Sequence, residues 1–137
     1  MYRTTYFTIK ELVHPWILRD IGEETAWQRL DEGCLKDLDI IRIRWGTGIS
    51  INAGANDSRG LRPPNDPDGA KYSMHKQGKA FDLVPVDGDV KGLYNLCESL
   101  MKIGILHSIN TLENNKFTPT WVHVASHNIS GTQIINP

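Results

Sequence analysis

The ten-residue stretch from Ser73 to Asp82 constrains the fold of this chain more than any other segment. It reads Ser-Met-His-Lys-Gln-Gly-Lys-Ala-Phe-Asp, so that His75 and Asp82 flank a glycine and an alanine. Histidine ring nitrogens and carboxylate oxygens are both good zinc ligands, and small residues suit a tight turn. The stretch therefore predicts a chain that turns beside a metal ion and re-enters a sheet.

A second histidine, His123, lies far downstream in the strand-like run 120–124, Thr-Trp-Val-His-Val. Two histidines and one carboxylate are a common set of protein ligands in a catalytic zinc site, where the fourth coordination position is left for water. The sequence therefore predicts a Zn²⁺ site formed by His75, Asp82 and His123. Three further histidines fit no motif and are assigned structural or surface roles: His14, His107 and His127.

The pattern Ser-x-His-x-x-Gly-x-Ala-x-Asp followed by Trp-x-His resembles the M15 family of zinc peptidases. That family includes D-Ala-D-Ala carboxypeptidases and phage endolysins that cut peptidoglycan peptides. The resemblance covers roughly residues 7–126. It implies the compact α+β fold that these enzymes share with the hedgehog signalling domain, zinc as the cofactor, and a peptidoglycan stem peptide as the substrate.

The resemblance also implies substrate-binding residues upstream of the metal motif. The family has an arginine that meets the substrate where this chain has Arg59-Gly60-Leu61-Arg62. A guanidinium binds a carboxylate through two parallel hydrogen bonds, and stem peptides carry free carboxylates. Either Arg59 or Arg62 can fill this role, and both can equally be solvated loop residues. Ser73 matches the family and either forms a hydrogen bond in the site or caps the turn.

This chain lacks a glutamate at the position where the family pattern has its catalytic base. Many relatives carry a glutamate three residues before the last histidine, but this chain has Thr120 there, and Ala125 replaces a common aspartate. Peptide hydrolysis needs a group that takes a proton from water and returns it to the leaving amine. Glu113 is the candidate, because it ends a predicted strand that can pair with the His123 strand. Thr120 favours the alternative, a non-enzymatic zinc-containing binding module of the same fold.

Periodicity predicts an α+β fold, a single domain over residues 1–137 with a small, mostly antiparallel sheet and packed helices. A capping box at 8–11 opens a short helix. Longer helical patterns cover 23–44, with Gly33 as a break point, and 90–103, with Gly104 as the stop. Strands are predicted at 49–53, 79–85, 106–112 and 120–126, and the tail from Asn128 is predicted to be loosely held.

The composition limits the classes of molecule that this chain is expected to bind. A net charge of −1 over 137 residues gives no basic surface for nucleic acid. The chain has neither a signal-peptide core nor an apolar run near the roughly 20 residues that span a bilayer. We expect synthesis in the cytoplasm, no membrane insertion, and action on the cell wall after release or as a virion component. Cys34 and Cys97 are predicted to be buried free thiols; the bond that is cut and the oligomeric state stay open.

Overall fold

The computed structural model describes residues 1–51 and 78–136, and these ranges form an α+β domain with four helices and five strands. The helices are α1 (Ile9–Leu12), α2 (Pro15–Arg29), α3 (Glu32–Trp45) and α4 (Val90–Lys102). The strands are β1 (Ile49–Ile51), β2 (Ala80–Pro85), β3 (Thr111–Glu113), β4 (Val122–Ala125) and β5 (Gln133–Ile135). The predicted α+β class is confirmed.

The strands form one mixed sheet in the order β1-β2-β4-β3-β5. The pairs β1–β2, β2–β4 and β3–β4 are antiparallel, whereas β3 and β5 run parallel. The central strands β2 and β4 are therefore neighbours although roughly forty residues separate their sequences.

One face of the sheet forms the core with the helices. Its side chains come from alternate strand positions and are fully buried: Phe81, Leu83, Leu112, Val122 and Val124. They join apolar residues of α3 and α4 in a single cluster. Because successive strand residues point to opposite faces, Asp82, Glu113 and His123 lie on the other face. The apolar residues that recur at three- and four-residue steps in the helical pattern predicted over 23–44 are also buried: Trp27, Leu30, Cys34, Leu38 and Ile41.

Local interactions define the ends of the helices, and they confirm the predicted capping box at 8–11 and the predicted stop at Gly104. The backbone N–H of Thr8 donates to the Glu11 carboxylate at 2.8 Å, which completes the capping box of α1. The carboxylate of Asp89 accepts the backbone N–H of Gly92 at 2.9 Å and caps α4. Gly104 follows that helix with a φ of 80°, which a side chain would disfavour. Cys34 and Cys97 are buried and not bonded to each other.

α2 begins at Pro15, ahead of the helix predicted from residue 23, and it consists of two helical pieces, the second of which begins at about the predicted position. Proline is favoured in the first helical turn because its missing N–H has no partner there. The chain changes direction at Gly22, whose φ is 80°, so the stretch after it is a second helical piece. The break before α3 comes at Leu30–Asp31 rather than at Gly33, because the Asp31 carboxylate caps α3 by accepting the Cys34 N–H at 2.9 Å.

The strand predicted over 106–112 is wrong for most of its length, since β3 covers only Thr111–Glu113. The buried carboxylate of Asp37 instead accepts the backbone N–H groups of His107, Ser108 and Ile109, the last two at 2.7 Å. Those donors are therefore unavailable for a strand ladder. The partner lies about seventy residues away on α3, where local periodicity carries no trace of it.

The prediction of a loosely held tail is also wrong. Residues from Gln133 to Ile135 form β5 and pair with β3. Just outside the paired stretch, the Gln133 N–H donates to the Asn110 carbonyl at 2.9 Å, and the Asn114 N–H donates to the Ile135 carbonyl at 2.8 Å. The C-terminal segment is therefore part of the sheet that carries Glu113.

Candidate functional site

Three predicted functional residues lie side by side across the sheet. Asp82 on β2 is the direct partner of His123 on β4. On the other side of β4, the pairing of Leu112 with Val124 places Glu113 of β3 opposite His123. The predicted β3–β4 pairing thus forms, and it brings Asp82, His123 and Glu113 into one row on the face opposite the core.

The two carboxylates of this row face the same ring nitrogen. Asp82 Oδ1 lies 2.9 Å from His123 Nδ1, and Glu113 Oε2 lies 3.9 Å from that atom. The side chains of Asp82, His123 and Glu113 are only 7%, 13% and 19% exposed. Charges in such a sheltered position interact more strongly than they would in water, so protonation or a bound cation at Nδ1 affects all three groups.

The donor set suits zinc. Nitrogen and oxygen ligands at about 2.0–2.1 Å from a tetrahedral Zn²⁺ lie about 3.4 Å apart. The observed 2.9 Å between Asp82 Oδ1 and His123 Nδ1 is within half an ångström of that spacing. The same distance also fits a direct hydrogen bond from a protonated Nδ1 to the carboxylate. Both arrangements point Nδ1 into the site.

The remaining predicted site residues lie outside the described ranges. These are the ligand His75 and the substrate-binding candidates Arg59, Arg62 and Ser73. Within residues 1–51 and 78–136, no cluster of three or more His, Cys, Asp or Glu side chains has metal-binding geometry. The zinc site with His75, Asp82 and His123 therefore stays a prediction.

The turn into β2 explains two small residues of the motif. Gly78 has a φ of 71°, and a Cβ atom there would lie 2.6 Å from the Arg29 carbonyl oxygen. Its own carbonyl accepts the Asp31 N–H at 3.1 Å, which ties the turn to the start of α3. Ala80 is fully buried beside its partner Ala125. The predicted re-entry into a sheet next to the metal motif is thus confirmed on its C-terminal side.

The structure also shows where the two residues that differ from the family pattern lie, Thr120 and Ala125. Thr120 is exposed in the turn that precedes β4, and Glu113 is the carboxylate that pairs across to His123 instead. Ala125 is fully buried between Ala80 and Thr111 of the neighbouring strands. An aspartate at that position would place a charge among small buried groups, which is costly without a partner.

His127 lies just past the end of β4 and is half-buried. Burial and the neighbouring ring of His123 both lower the pKa of His127. The side chain of Asn110 holds the backbone of His127 in both directions, at 2.9 Å and 2.8 Å.

No family model, curated protein or solved structure matches this chain. No helix in the ranges that the structure describes is long and apolar enough to cross a membrane. Within the described ranges, Asp82, His123 and Glu113 are the predicted site residues that the fold brings together.

Proposed function

We propose that this chain is a zinc-dependent peptidase that hydrolyses peptidoglycan stem peptides. The bond cut would be that of a D,D-carboxypeptidase or of an L-Ala-D-Glu or D,D-endopeptidase. The observation that carries the proposal is the convergence of Asp82 and Glu113 on His123 Nδ1, at 2.9 Å and 3.9 Å. The Ser-x-His-x-x-Gly-x-Ala-x-Asp and Trp-x-His motifs support it, as they support a hedgehog/DD-peptidase type of fold.

In this proposal Asp82 and His123 hold Zn²⁺ together with His75. When bound, zinc supplies a Lewis acid that polarises a carbonyl and makes hydroxide available near neutral pH. The role of the protein is to present a carboxylate oxygen and an imidazole nitrogen on adjacent strands. Because β2 and β4 are central in the sheet, both ligands have rigid support on either side.

Glu113 acts as the proton shuttle. Its carboxylate takes a proton from the attacking water and returns it to the leaving amine. A general base must come within about 2.6–3.2 Å of the group it deprotonates, or reach it through one water. Glu113 Oε2 lies 3.9 Å from His123 Nδ1 and its side chain is 19% exposed, so the carboxylate faces the space beside the proposed ligand, where the attacking water would sit.

Substrate contacts come from the arginines and Ser73. One of Arg59 and Arg62 pairs with a stem-peptide carboxylate, and Ser73 forms a hydrogen bond in the site. In this proposal the enzyme is made in the cytoplasm and reaches the wall after cell lysis or as part of a virion.

The decisive test is the Glu113→Gln variant, assayed for release of fragments from purified muropeptides. We expect zinc content and fold to be retained and hydrolysis to fall by about 10²- to 10⁴-fold, the usual contribution of a general acid–base group. Glu24→Gln, an exposed position on α2, is the matched control and should be fully active. Near-normal turnover by Glu113→Gln would exclude Glu113 as the base.

A non-enzymatic zinc module is the second candidate, and the threonine at position 120 is the observation that favours it. Such a module would bind zinc with the same residues but cleave no muropeptide. Turbidity loss of purified bacterial walls by the wild-type protein, absent for Glu113→Gln, would reject this candidate. Zinc binding with no loss of turbidity and no released fragments would support it.

A further inference from the structure

The Glu113 carboxylate and the His123 ring face each other just beyond the last backbone pair between their strands. In the described part of the chain, β3 and β4 pair at two positions, the second of which is Leu112–Val124. Glu113 follows that pair, with its Oε2 at 3.9 Å from His123 Nδ1. His123 is a paired residue of the β2–β4 ladder on its other side. Backbone pairing therefore fixes His123 against β2, but it does not by itself fix Glu113 against His123.

The side chain of Asn115 bridges the two strands past this last pair. Its Nδ2 donates to the Thr118 carbonyl at 2.8 Å and, over a longer distance, to the Trp121 carbonyl at 3.4 Å. Continuing the register of β3 and β4 brings Asn115 opposite Trp121. A side chain two residues after Glu113 is thus bonded to the backbone two residues before His123, where the next pair on the same face would lie.

The loop that joins β3 to β4 consists of two turns, and Asn115 connects them. In the first turn, the Phe117 N–H donates to the Asn114 carbonyl at 2.9 Å, and in the second the Trp121 N–H donates to the Thr118 carbonyl at 3.4 Å. Thr118 is only 1% exposed, and the bond that it accepts from Asn115 is partly buried. Water is therefore a poor replacement for the Asn115 donor at this position.

The last strand, β5, holds Glu113 from the opposite edge. Glu113 pairs with Ile135, and the Asn114 N–H donates to the Ile135 carbonyl at 2.8 Å. In the strand order, β5 borders β3 but not β4, so it cannot set the gap between Glu113 and His123. Asn115 supplies a connection across that gap.

We propose that Asn115 is the positioning residue that holds the Glu113 carboxylate opposite His123. The proposal rests on the peptidase function given above and adds what fixes the distance between the proposed base and the proposed ligand. Asn115 contacts neither substrate nor metal in this arrangement and acts only through Glu113. Such a role has a measurable consequence, because a misplacement of about 1 Å at a reacting group can cost about 10²-fold in rate.

The test is Asn115→Asp, which keeps the shape of the side chain but removes its donor. An ionised carboxylate only accepts hydrogen bonds, so it cannot bond the two carbonyl groups. With a soluble muramyl pentapeptide as substrate, we expect kcat to fall by roughly 10- to 100-fold, with KM and zinc content unchanged. Asn115→Ala removes the donor without adding a charge, and it should show the same loss of kcat.

Asn114→Asp is the matched control, because it adds the same charge one residue away. Asn114 Oδ1 accepts the Lys116 N–H at 3.0 Å, and an aspartate keeps that bond. The bond that is lost, from Asn114 Nδ2 to Asn136, is exposed. The kcat of Asn114→Asp should therefore be close to that of the wild type.

A double variant separates positioning from a general structural role. In the Glu113→Gln background, Asn115→Asp should lower kcat no further, because both changes act through one carboxylate. A residue that only stabilises the loop would lower kcat by the same factor in both backgrounds. That additive result would overturn the proposal.

Crystal structures of the full chain give a measurement that does not depend on activity. In Asn115→Asp the separation of Glu113 Oε2 and His123 Nδ1 should grow from 3.9 Å by about 1 Å, whereas in Asn114→Asp it should stay the same. If the wild type cleaves muropeptides and both Asn115 variants keep their kcat, this proposal alone is overturned. If the wild type cleaves none, the peptidase proposal fails, and an unchanged separation in Asn115→Asp would overturn the positioning role as well.

Discussion

Two sheltered carboxylates in this molecule, Asp37 on α3 and Asp82 on β2, have opposite environments. Asp37 is fully buried and accepts the N–H groups of His107, Ser108 and Ile109, so it acts as a structural anchor for that segment. The side chain of Asp82 is 7% exposed and lies 2.9 Å from the His123 imidazole on β4. The carboxylate of Glu113, on β3, lies on the other side of that imidazole. Backbone donors cannot change their charge, whereas an imidazole can be protonated or bind a metal.

The comparison shows that burial alone does not identify a functional carboxylate. Asp39, also on α3, is 4% exposed and accepts the Tyr2 hydroxyl at 2.6 Å and the Thr5 N–H at 2.9 Å. Like Asp37, it fastens a distant segment onto α3. The α3 carboxylates should therefore affect stability, and Asp82 should affect metal binding and activity.

The largest expected effect is the loss of zinc from Asp82→Ala. The wild type should bind one zinc per chain, and the variant should bind none and lose its hydrolytic activity. Folding should be retained, because the variant removes a charged group from a sheltered site. Metal analysis and circular dichroism are the measurements. An Asp82→Ala protein that keeps its zinc, or a wild type that takes up none after zinc loading, would contradict the metal site.

The second-largest expected effect is the loss of stability caused by Asp37→Ala. Removing this carboxylate leaves three backbone N–H groups without their acceptor, and each such group costs about 1–3 kcal/mol when buried. We expect the free energy of unfolding to fall by about 3 kcal/mol or more, measured by urea denaturation. Zinc binding per folded molecule should be unchanged.

Asp87→Ala is the matched control for Asp37. The Asp87 carboxylate accepts one N–H, that of Asp89, at an exposed turn, where water can replace it. The change in unfolding free energy should be within about 0.5 kcal/mol, as for most surface substitutions. Equal losses in the two variants would show that Asp37 is not an anchor.

The smallest effect is the pH dependence that Tyr2 contributes. The hydrogen bond to Asp39, followed by burial and the Asp39 charge, raises the pKa of Tyr2 to about 12. A pKa raised in the folded state means that the folded protein holds the phenol proton more tightly than the unfolded chain. The resulting stability is present below the ordinary pKa of about 10 and is lost as pH rises towards 12.

Tyr2→Phe removes this pH-dependent contribution to stability. Thermal melts between pH 9 and about 12 should therefore decline less steeply for Tyr2→Phe than for the wild type, in line with the linkage between proton binding and stability. Tyr6, whose ring lies 5.1 Å from the Arg42 guanidinium, provides the Tyr6→Phe control. A Tyr2→Phe protein with the same pH profile as the wild type would exclude the Tyr2–Asp39 bond as its cause.

Local chemistry was sufficient to predict much of this chain. The capping box at Thr8, the cap of α4 at Asp89 and the stop at Gly104 each depend on residues within one turn of the helix end, so the sequence contains the whole interaction. The alternation of side chains along β2 and β4 likewise accounts for Asp82 and His123 pointing away from the core. These features need no knowledge of distant partners, because sterics and burial periodicity act over a few residues.

The tertiary structure decided everything that depends on a distant partner. The adjacency of Asp82, His123 and Glu113 follows from the strand order β2-β4-β3. The segment before Thr111 lost its predicted strand to Asp37, and the tail gained a strand on β3. The backbone of His127 is held by the side chain of Asn110, seventeen residues earlier in the chain. In each case a hydrogen bond or a strand pairing joins residues far apart in sequence, and no local pattern records which partner a group will find.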